Sequence, residues 1–451
     1  MVNGRRRMLS VGSSSLPGGL PDRSVDVVMR SAVTFALAEG WHFGDLYAVG
    51  LAFVGMALLA GVGAMSHQHE RAFSASVFYV ALGALAAVVL WLFEIAPLEP
   101  EGDHLLLERL AELALVVAVF SAGLTIERHV SRRSWVSVAT LLIVVMPLTI
   151  LAIAAFGFWA MGLSFGGALL LGAILAPTDP VLAGDVGLSG PGGEIYGEPR
   201  LSLHTEAGFN DGLASPFVVL GLYVATQEGT RWVGEWVVAD LLYAAGFALA
   251  LGAAAGIASA WLITRARARG LVATRLDGFV AIGLVLIIYG TVEALGAYGL
   301  LAVFAAGFTF RRYEFEHELN RGVHHGAEAA GTTLELLVLL LLGSMLTIDG
   351  LAAPGVTGWL LAPILILAIR PALVFATAGR RLMDAKARLF LGFFGVRGVA
   401  ALFYAAVVVD ADVLSAPEQT IVVWSTIVCV VISIIVHGLT ATPLTKRLLT
   451  R

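Results

Sequence analysis

Cysteine is almost missing from this chain. Cys429 is the only one in 451 residues, so no disulfide can form within it. It lies in the apolar run "STIVCVVISIIV" and reads as a small core hydrophobe. Charge is scarce too: Asp, Glu, Lys and Arg together make up 14% of the residues, against 58% hydrophobic ones. Mean hydropathy is +0.88, and no soluble protein of this length has interior enough to hide that much apolar surface. Clusters of His and Cys at zinc spacing are lacking, which argues against a transition metal. The net charge of −5 sits in the segments between apolar runs, and nothing in it points to a nucleic-acid partner. Strict alternation of polar and apolar residues is absent as well, which excludes a membrane barrel.

What remains is a series of apolar runs, many of about 20 residues, the length that crosses a bilayer. Lipid offers no hydrogen bonds to a backbone, so such runs must be helices. The fold class is therefore an all-α polytopic membrane protein with about thirteen transmembrane helices. The spans fall near 45–65, 75–95, 105–126, 135–160, 165–187, 205–226, 236–264, 277–294, 297–310, 332–348, 356–378, 387–409 and 418–444. Residues 1–42 contain "GRRR" without an apolar run at signal-peptide distance, and read as an N-terminal extension, not a cleaved leader. Residues 43–446 form the transmembrane domain, and 447–451 a short tail.

The segments "ERHVSRRS", "TRARARGLVATR", "RRYEFEHELNRGVHH", "GRRLMDAKAR" and "TKRLLTR" are basic, whereas "PLEPEGDH", "TQEGTRWVGEW", "TIDG" and "VDADVLSAPEQ" are neutral or acidic. They alternate along the chain, so the basic set is cytoplasmic. Thirteen spans then place the C-terminus in the cytoplasm, in a multi-pass protein of the cell's inner (plasma) membrane.

Two spans are interrupted. The fifth carries Pro177 and Pro180 around Thr178-Asp179, and the twelfth carries Gly392, Gly395 and Gly398 around Arg397. Proline removes a helix hydrogen bond and glycine loosens the helix. If the seventh span is a linker, both breaks fall in the fifth member of a six-span half. An offset of seven spans is odd, so the halves are inverted repeats, and matched breaks in inverted halves point to a midplane transport site.

The charged residues agree. Asp179 lies in the first break, and Asn210-Asp211 follow at the head of "GLASPFVVLGLYVAT". Oxygen donors of this kind suit a hard cation such as Na⁺ or Li⁺. Glu206 and Asn210, four apart, share a helix face, while Asp211 is turned by about 100° and can face a water path. A buried Glu206 needs a cation beside it; Arg370 in "ILAIRPALVF" and Arg397 in "GVRGVA" are the candidates. Glu293 and Glu335 read as lying near span ends, and His437 as a packed or interfacial histidine.

"APTDPVLAGDV", "EAGFNDG", "GVRGVAAL" and "IIVHGLTATPL", in this order, resemble the monovalent cation/proton antiporters of the Asn-Asp type, which include the sodium/hydrogen exchangers. "YGTVEALGAYGLLAVFAAGF" is similar to a helix pair of that family, and the resemblance covers roughly residues 45–446. It implies a homodimer with broken, crossing helices. It also implies a mobile core bundle (approximately 135–226 and 356–446), a dimerisation part (45–126 and 277–348) and a linker helix (236–264). By the same resemblance Asp211 carries the proton or the cation, and Thr178, Asp179 and Asn210 help to hold the ion. Asp211 and Asp179 are then the Na⁺ ligands, Glu206 pairs with Arg370, and Arg397 balances the crossed half-helices. Ala207 stands where many relatives have Ser, and Ser121 and Ala122 where some have an acidic residue, which thins the ion shell.

The function expected is secondary active Na⁺ (or Li⁺)/proton antiport: not an enzyme, and without a resident cofactor. Proton and cation compete for Asp211, and with Asn at 210 one proton exchanges for one cation, electroneutrally. K⁺/proton antiport on the same architecture is the alternative; a sodium-coupled symporter of organic anions and a channel are further ones. A channel lacks its glycine-loop filter here, and a symporter its polar pocket. The chain stops just after the last span, so ligand-gated K⁺ efflux through an attached nucleotide-binding domain is not expected.

Overall fold

A computed structural model describes residues 46–67, 74–126, 131–179, 198–314, 321–379 and 383–449. The N-terminal extension (1–42) and Pro180 lie outside them. The chain divides into two compact units, Met1–Met56 and Ala57–Arg451. Of the first, only the stretch that opens α1 (Leu46–His67) is described, and every later helix belongs to the second.

No strand occurs among the described residues. After α1 come α2 (Ala75–Leu92), α3 (His104–Thr125), α4 (Arg132–Ala160), α5 (Phe165–Leu175) and α6 (Glu198–Thr226). They are followed by α7 (Trp232–Ala268), α8 (Asp277–Ala294), α9 (Gly299–Glu314), α10 (Arg321–Ser344) and the short α11 (Ile348–Ala352). The series closes with α12 (Gly355–Thr377), α13 (Ala385–Phe393), α14 (Val399–Asp410) and α15 (Ala416–Leu449). Every expected span has its helix, the twelfth being split into α13 and α14. Of the fifth, the part from Pro180 on is not described. The last helix runs beyond 446, where the sequence placed the end of the membrane domain. Among the described residues, seven helices are long and apolar enough to cross a membrane by length and composition. Those that fall short include α5 and α14, which the breaks shorten, and α3 and α6, which carry polar residues.

Local chemistry sets the ends. Ser131, Ser164 and Asp384 cap α4, α5 and α13 by accepting from the backbone N–H of Ser134 (3.1 Å), Gly167 (3.0 Å) and Ala387 (2.7 Å). Spans four and eleven share a device: a five-residue π turn, Leu141–Val145 or Leu365–Ile369, sits just before Met146-Pro147 or Arg370-Pro371. Proline cannot donate to the turn before it, and the helix widens there. Like the two breaks, these turns recur seven spans apart, as two inverted halves require.

Small residues bring the helices together. Gly252 and Gly256 lie one turn apart on α7; a Cβ there would come within 2.6 Å of Ala302 Cα and 2.7 Å of Ala306 Cα on α9. A Cβ at Gly123 of α3 would lie 2.9 Å from Phe308 N on the other flank of α9. Close approach of this kind replaces the hydrophobic drive that lipid cannot supply between helices. Against α9 also lies α6, through Gly208 on the Phe304 ring and Gly212 on Leu301.

One expectation fails. Glu335 was placed near a span end, but it is buried, 3% exposed, well inside α10. The reason is that α10 starts at Arg321, not near 332. Its polar opening turns are helical because His324 Nε2 lies 3.0 Å from Thr125 Oγ1 and Gly331 lets the helix press on Ala118. Glu293, by contrast, does sit at the end of α8, where its carboxylate accepts from Gly299 N (2.8 Å).

Candidate functional site

The site is assembled where two helices stop short and their chains cross. After α5 ends at Leu175, residues 177–179 are non-helical; after α13 ends at Phe393, residues 394–398 are non-helical. The two stretches bond to each other, Asp179 N donating to Val396 O (2.9 Å). Each break leaves a helix end without partners, and each end meets an opposite charge. At the N-terminus of α14, Val399 N donates to Asp179 Oδ2 (3.1 Å). At the C-terminus of α5, Arg397 Nε donates to Leu175 O (2.7 Å), and its Nη1 donates to Gly395 O. The backbone N–H of Arg397 is bonded to Ser433 Oγ (2.8 Å).

The glycines of "GVRGV" have specific work here. A Cβ on Gly398 would collide with the carboxylate of Asp179, and one on Gly395 would strike the guanidinium of Arg370. They serve as clearance, a role that helix loosening alone does not reveal.

Asn210 and Thr178 are clamped together. Asn210 Nδ2 donates to Thr178 Oγ1 (2.7 Å), and its Oδ1 accepts from Thr178 N (3.1 Å). Both ends of the carboxamide are thereby spent on the broken segment. One turn back on α6, Glu206 faces Arg370 of α12, whose Nη2 lies 2.6 Å from Oε2 and 2.9 Å from Oε1. Arg370 Nε also donates to Leu391 O (3.3 Å). The pair is closed off, its side chains 1% and 3% exposed. Of the two arginines left open by the charge argument, Arg370 reaches Glu206 and Arg397 serves the helix end.

Asp211 is different. It is fully buried, and among the described residues neither carboxylate oxygen has a hydrogen-bond partner. It lies close enough to Asp179 for the two charges to repel. A carboxylate in that position must carry a proton or a cation, because an isolated buried charge is far too costly. The water path expected for it is closed in this conformation. The face of α6 beside it packs on α9, where a Cβ at Gly212 would lie 2.8 Å from Leu301 N.

The chain also matches a known family. A profile described as "Sodium/hydrogen exchanger, transmembrane" matches residues 53–447. The chain belongs to the sodium/hydrogen exchanger family. A Schizosaccharomyces pombe protein named for Na⁺/H⁺ antiport is 30% identical over 360 residues, 73% of this chain and 47% of that one. The Na⁺/H⁺ antiporter 2 of Zygosaccharomyces rouxii is 30% identical over 320 residues, 67% of this chain and 38% of that one. The chain thus spans less than half the length of these two relatives. Among solved structures, the sodium proton antiporter of Methanocaldococcus jannaschii matches in two determinations. Their TM-scores are 0.66 and 0.73, each at 17% identity, covering 87% and 89% of this chain and 99% and 98% of that one. The fold is that of this exchanger, and the protein is a multi-pass membrane protein of a transporter family.

Other buried groups in the fold differ in how much signal they carry in the sequence. Tyr404 of α14 is buried, donates its hydroxyl to the backbone carbonyl of Asp211 and lies 2.9 Å from Ser215 Oγ. The signal it did carry was a tyrosine within "ALFYAAVVV", since a buried phenol needs a partner. Arg267, expected only as an orientation signal, is buried against Asp277 in an ion pair. His437 is a packed histidine, with ring nitrogens 2.8 Å from the carbonyls of Ser433 and Phe393. Cys429 is a buried core residue, 1% exposed.

Proposed function

We propose that this protein is a secondary transporter that exchanges a monovalent alkali cation, Na⁺ foremost and Li⁺ with it, for protons. The observation that carries this reading is Asp211, fully buried with both oxygens unpartnered among the described residues, beside Asp179 at the crossing of two broken helices. Such a carboxylate binds a proton or a hard cation and is neutralised by either, so the two compete for the same oxygens. Exchange then needs only that the bundle carrying Asp211 moves when one ligand is bound and stays put when none is. Both named relatives are Na⁺/H⁺ antiporters by name, and the archaeal structure with the same fold is a sodium proton antiporter.

Within that cycle the residues divide into three roles. Asp211 is the exchanging acid. Asp179 and Thr178 supply further oxygens, with Asn210 fixing the Thr178 segment in place. Glu206 with Arg370, and Arg397 at the end of α5, hold the scaffold without touching the ion. No resident cofactor takes part, and the alkali ion is substrate. Because Asn210 does not titrate, one proton leaves per cation bound and the exchange moves no net charge. The chain works as a homodimer in the plasma membrane with its C-terminus in the cytoplasm, as the alternation of basic and acidic segments supports.

The test is dequenching of a pH-sensitive dye in everted vesicles or proteoliposomes on addition of NaCl, LiCl or KCl. Wild-type protein dequenches with Na⁺ and Li⁺, and Asp211→Asn abolishes the response. Full exchange by Asp211→Asn refutes the assignment; a response to K⁺ alone replaces Na⁺ with K⁺ as the substrate.

A further inference from the structure

Both candidate aspartates are tied to one short helix, Asp179 by its carboxylate and Asp211 by its main chain. At the first turn of α14, Val399 N donates to Asp179 Oδ2 (3.1 Å). Further along the same helix the Tyr404 hydroxyl donates to the main-chain carbonyl of Asp211. A phenol has a single proton, and here it is used on that carbonyl. The 2.9 Å contact between Tyr404 and Ser215 is therefore made by the serine hydroxyl, donating to the phenol oxygen. The side chain of Tyr404 is 3% exposed, so no solvent competes for these bonds.

The place on α6 where this happens is a weak one. Pro216 lies inside the helix and has no N–H, so the carbonyl of Gly212, next to Asp211, loses its ordinary partner. Two external donors hold the backbone on either side of that gap. Tyr404 holds the carbonyl of Asp211 before it, and Trp236 Nε1 holds the carbonyl of Pro216 (2.7 Å). Neither touches the carboxylate of Asp211, yet α14 is anchored at its start to Asp179 and at Tyr404 to the main chain that carries Asp211.

We propose that Tyr404, with Ser215 as its hydrogen-bond donor, is a positioning residue that sets the separation of Asp211 from Asp179 and thereby which alkali ion fits between them. This rests on the cation/proton reading above. Selectivity among hard cations follows cavity size and rigidity, since the ligand oxygens are alike for all of them. A phenol hydroxyl that ties the main chain of Asp211 to the helix anchored on Asp179 is a direct means of fixing that separation.

The experiment compares wild type, Tyr404→Phe and Ser215→Ala in proteoliposomes, with Li⁺, Na⁺ and K⁺ titrated separately at one pH. Loss of one hydrogen bond is expected to raise the apparent KM by about fivefold in Tyr404→Phe and by less in Ser215→Ala. Maximal rate stays within about twofold, because the exchanging acid is intact. The rise is unequal across the ions, so the Li⁺-to-Na⁺ ratio of KM changes. A merely structural phenol predicts a lower yield or maximal rate with KM and ion ratio unchanged, and that result in both variants overturns the proposal. If Tyr404→Phe cannot be recovered from the membrane, Ser215→Ala decides by the same ratio. Wild-type protein that moves no protons with any of the three ions refutes the antiport reading itself, an outcome distinct from unchanged ratios in an active exchanger.

Discussion

Three acids, one in the break after α5 and two on α6, have three different surroundings, and the surroundings assign their work. Glu206 has a guanidinium at 2.6 Å, Asp179 has the N-terminus of α14, and Asp211 has no hydrogen bond to its carboxylate among the described residues. Glu206→Gln would leave Arg370 charged, buried and unmatched, and breaking a buried pair from one side costs about 3–5 kcal/mol. The expected result is a clearly lowered melting temperature in detergent, with part of the loss recovered in a double variant that also replaces Arg370 by Met. Asp211→Asn removes an acid whose carboxylate has no hydrogen-bond partner among the described residues, so its melting temperature should equal or exceed the wild-type value while exchange is lost. Equal stability of Glu206→Gln and wild type would contradict the pairing; a large fall in Asp211→Asn would make that residue structural.

The elements of the site were legible in part, and the division has a physical cause. Apolar length marks a membrane helix wherever it occurs, so the thirteen spans could be read from local sequence. Proline and glycine beside charge likewise marked the breaks at Asp179 and Arg397. Contacts between residues far apart in the chain leave no such local mark. The clearance roles of Gly395 and Gly398, the reach of Tyr404 to Asp211 and the buried position of Glu335 all belong to this class. Glu335 was misplaced because hydropathy begins α10 only where it becomes apolar, whereas packing on α3 begins it at Arg321. The glycine roles make a prediction at this scale. A methyl group at Gly398 would press on the Asp179 carboxylate, and one at Gly395 on Arg370. Overpacking costs about 1–3 kcal/mol, so either alanine variant should melt lower, and Gly398→Ala should also weaken cation affinity. Gly283, with nothing near its missing Cβ, serves as the control and should be neutral to alanine. Wild-type behaviour of Gly398→Ala would show that the two chains do not cross as described.

At the scale of the molecule, the proposed exchange cycle moves α14 and α15 relative to α3 and its preceding loop. Among the polar contacts that join them, His104 Nε2 lies 3.6 Å from Asp410 Oδ1, and Thr420 Oγ1 lies 3.0 Å from Glu101 Oε2. With Cys429 as the only native thiol, a Cys429→Ala background allows a cysteine pair at 104 and 410 to be joined by a short bis-thiol reagent. Joining should stop exchange while the unjoined pair remains active; full activity after joining would place the moving boundary elsewhere. The fold says where such motion can occur, but exchange itself rests on competition between two ions at Asp211. The most direct measurement of that competition is the apparent KM for Na⁺ in proteoliposomes as pH is lowered, with and without an imposed voltage. One competing proton predicts a KM that rises, at the acid end, by about tenfold per pH unit at constant maximal rate and is insensitive to voltage. A KM that stays constant while the maximal rate falls, or an exchange rate that follows the voltage, would contradict it.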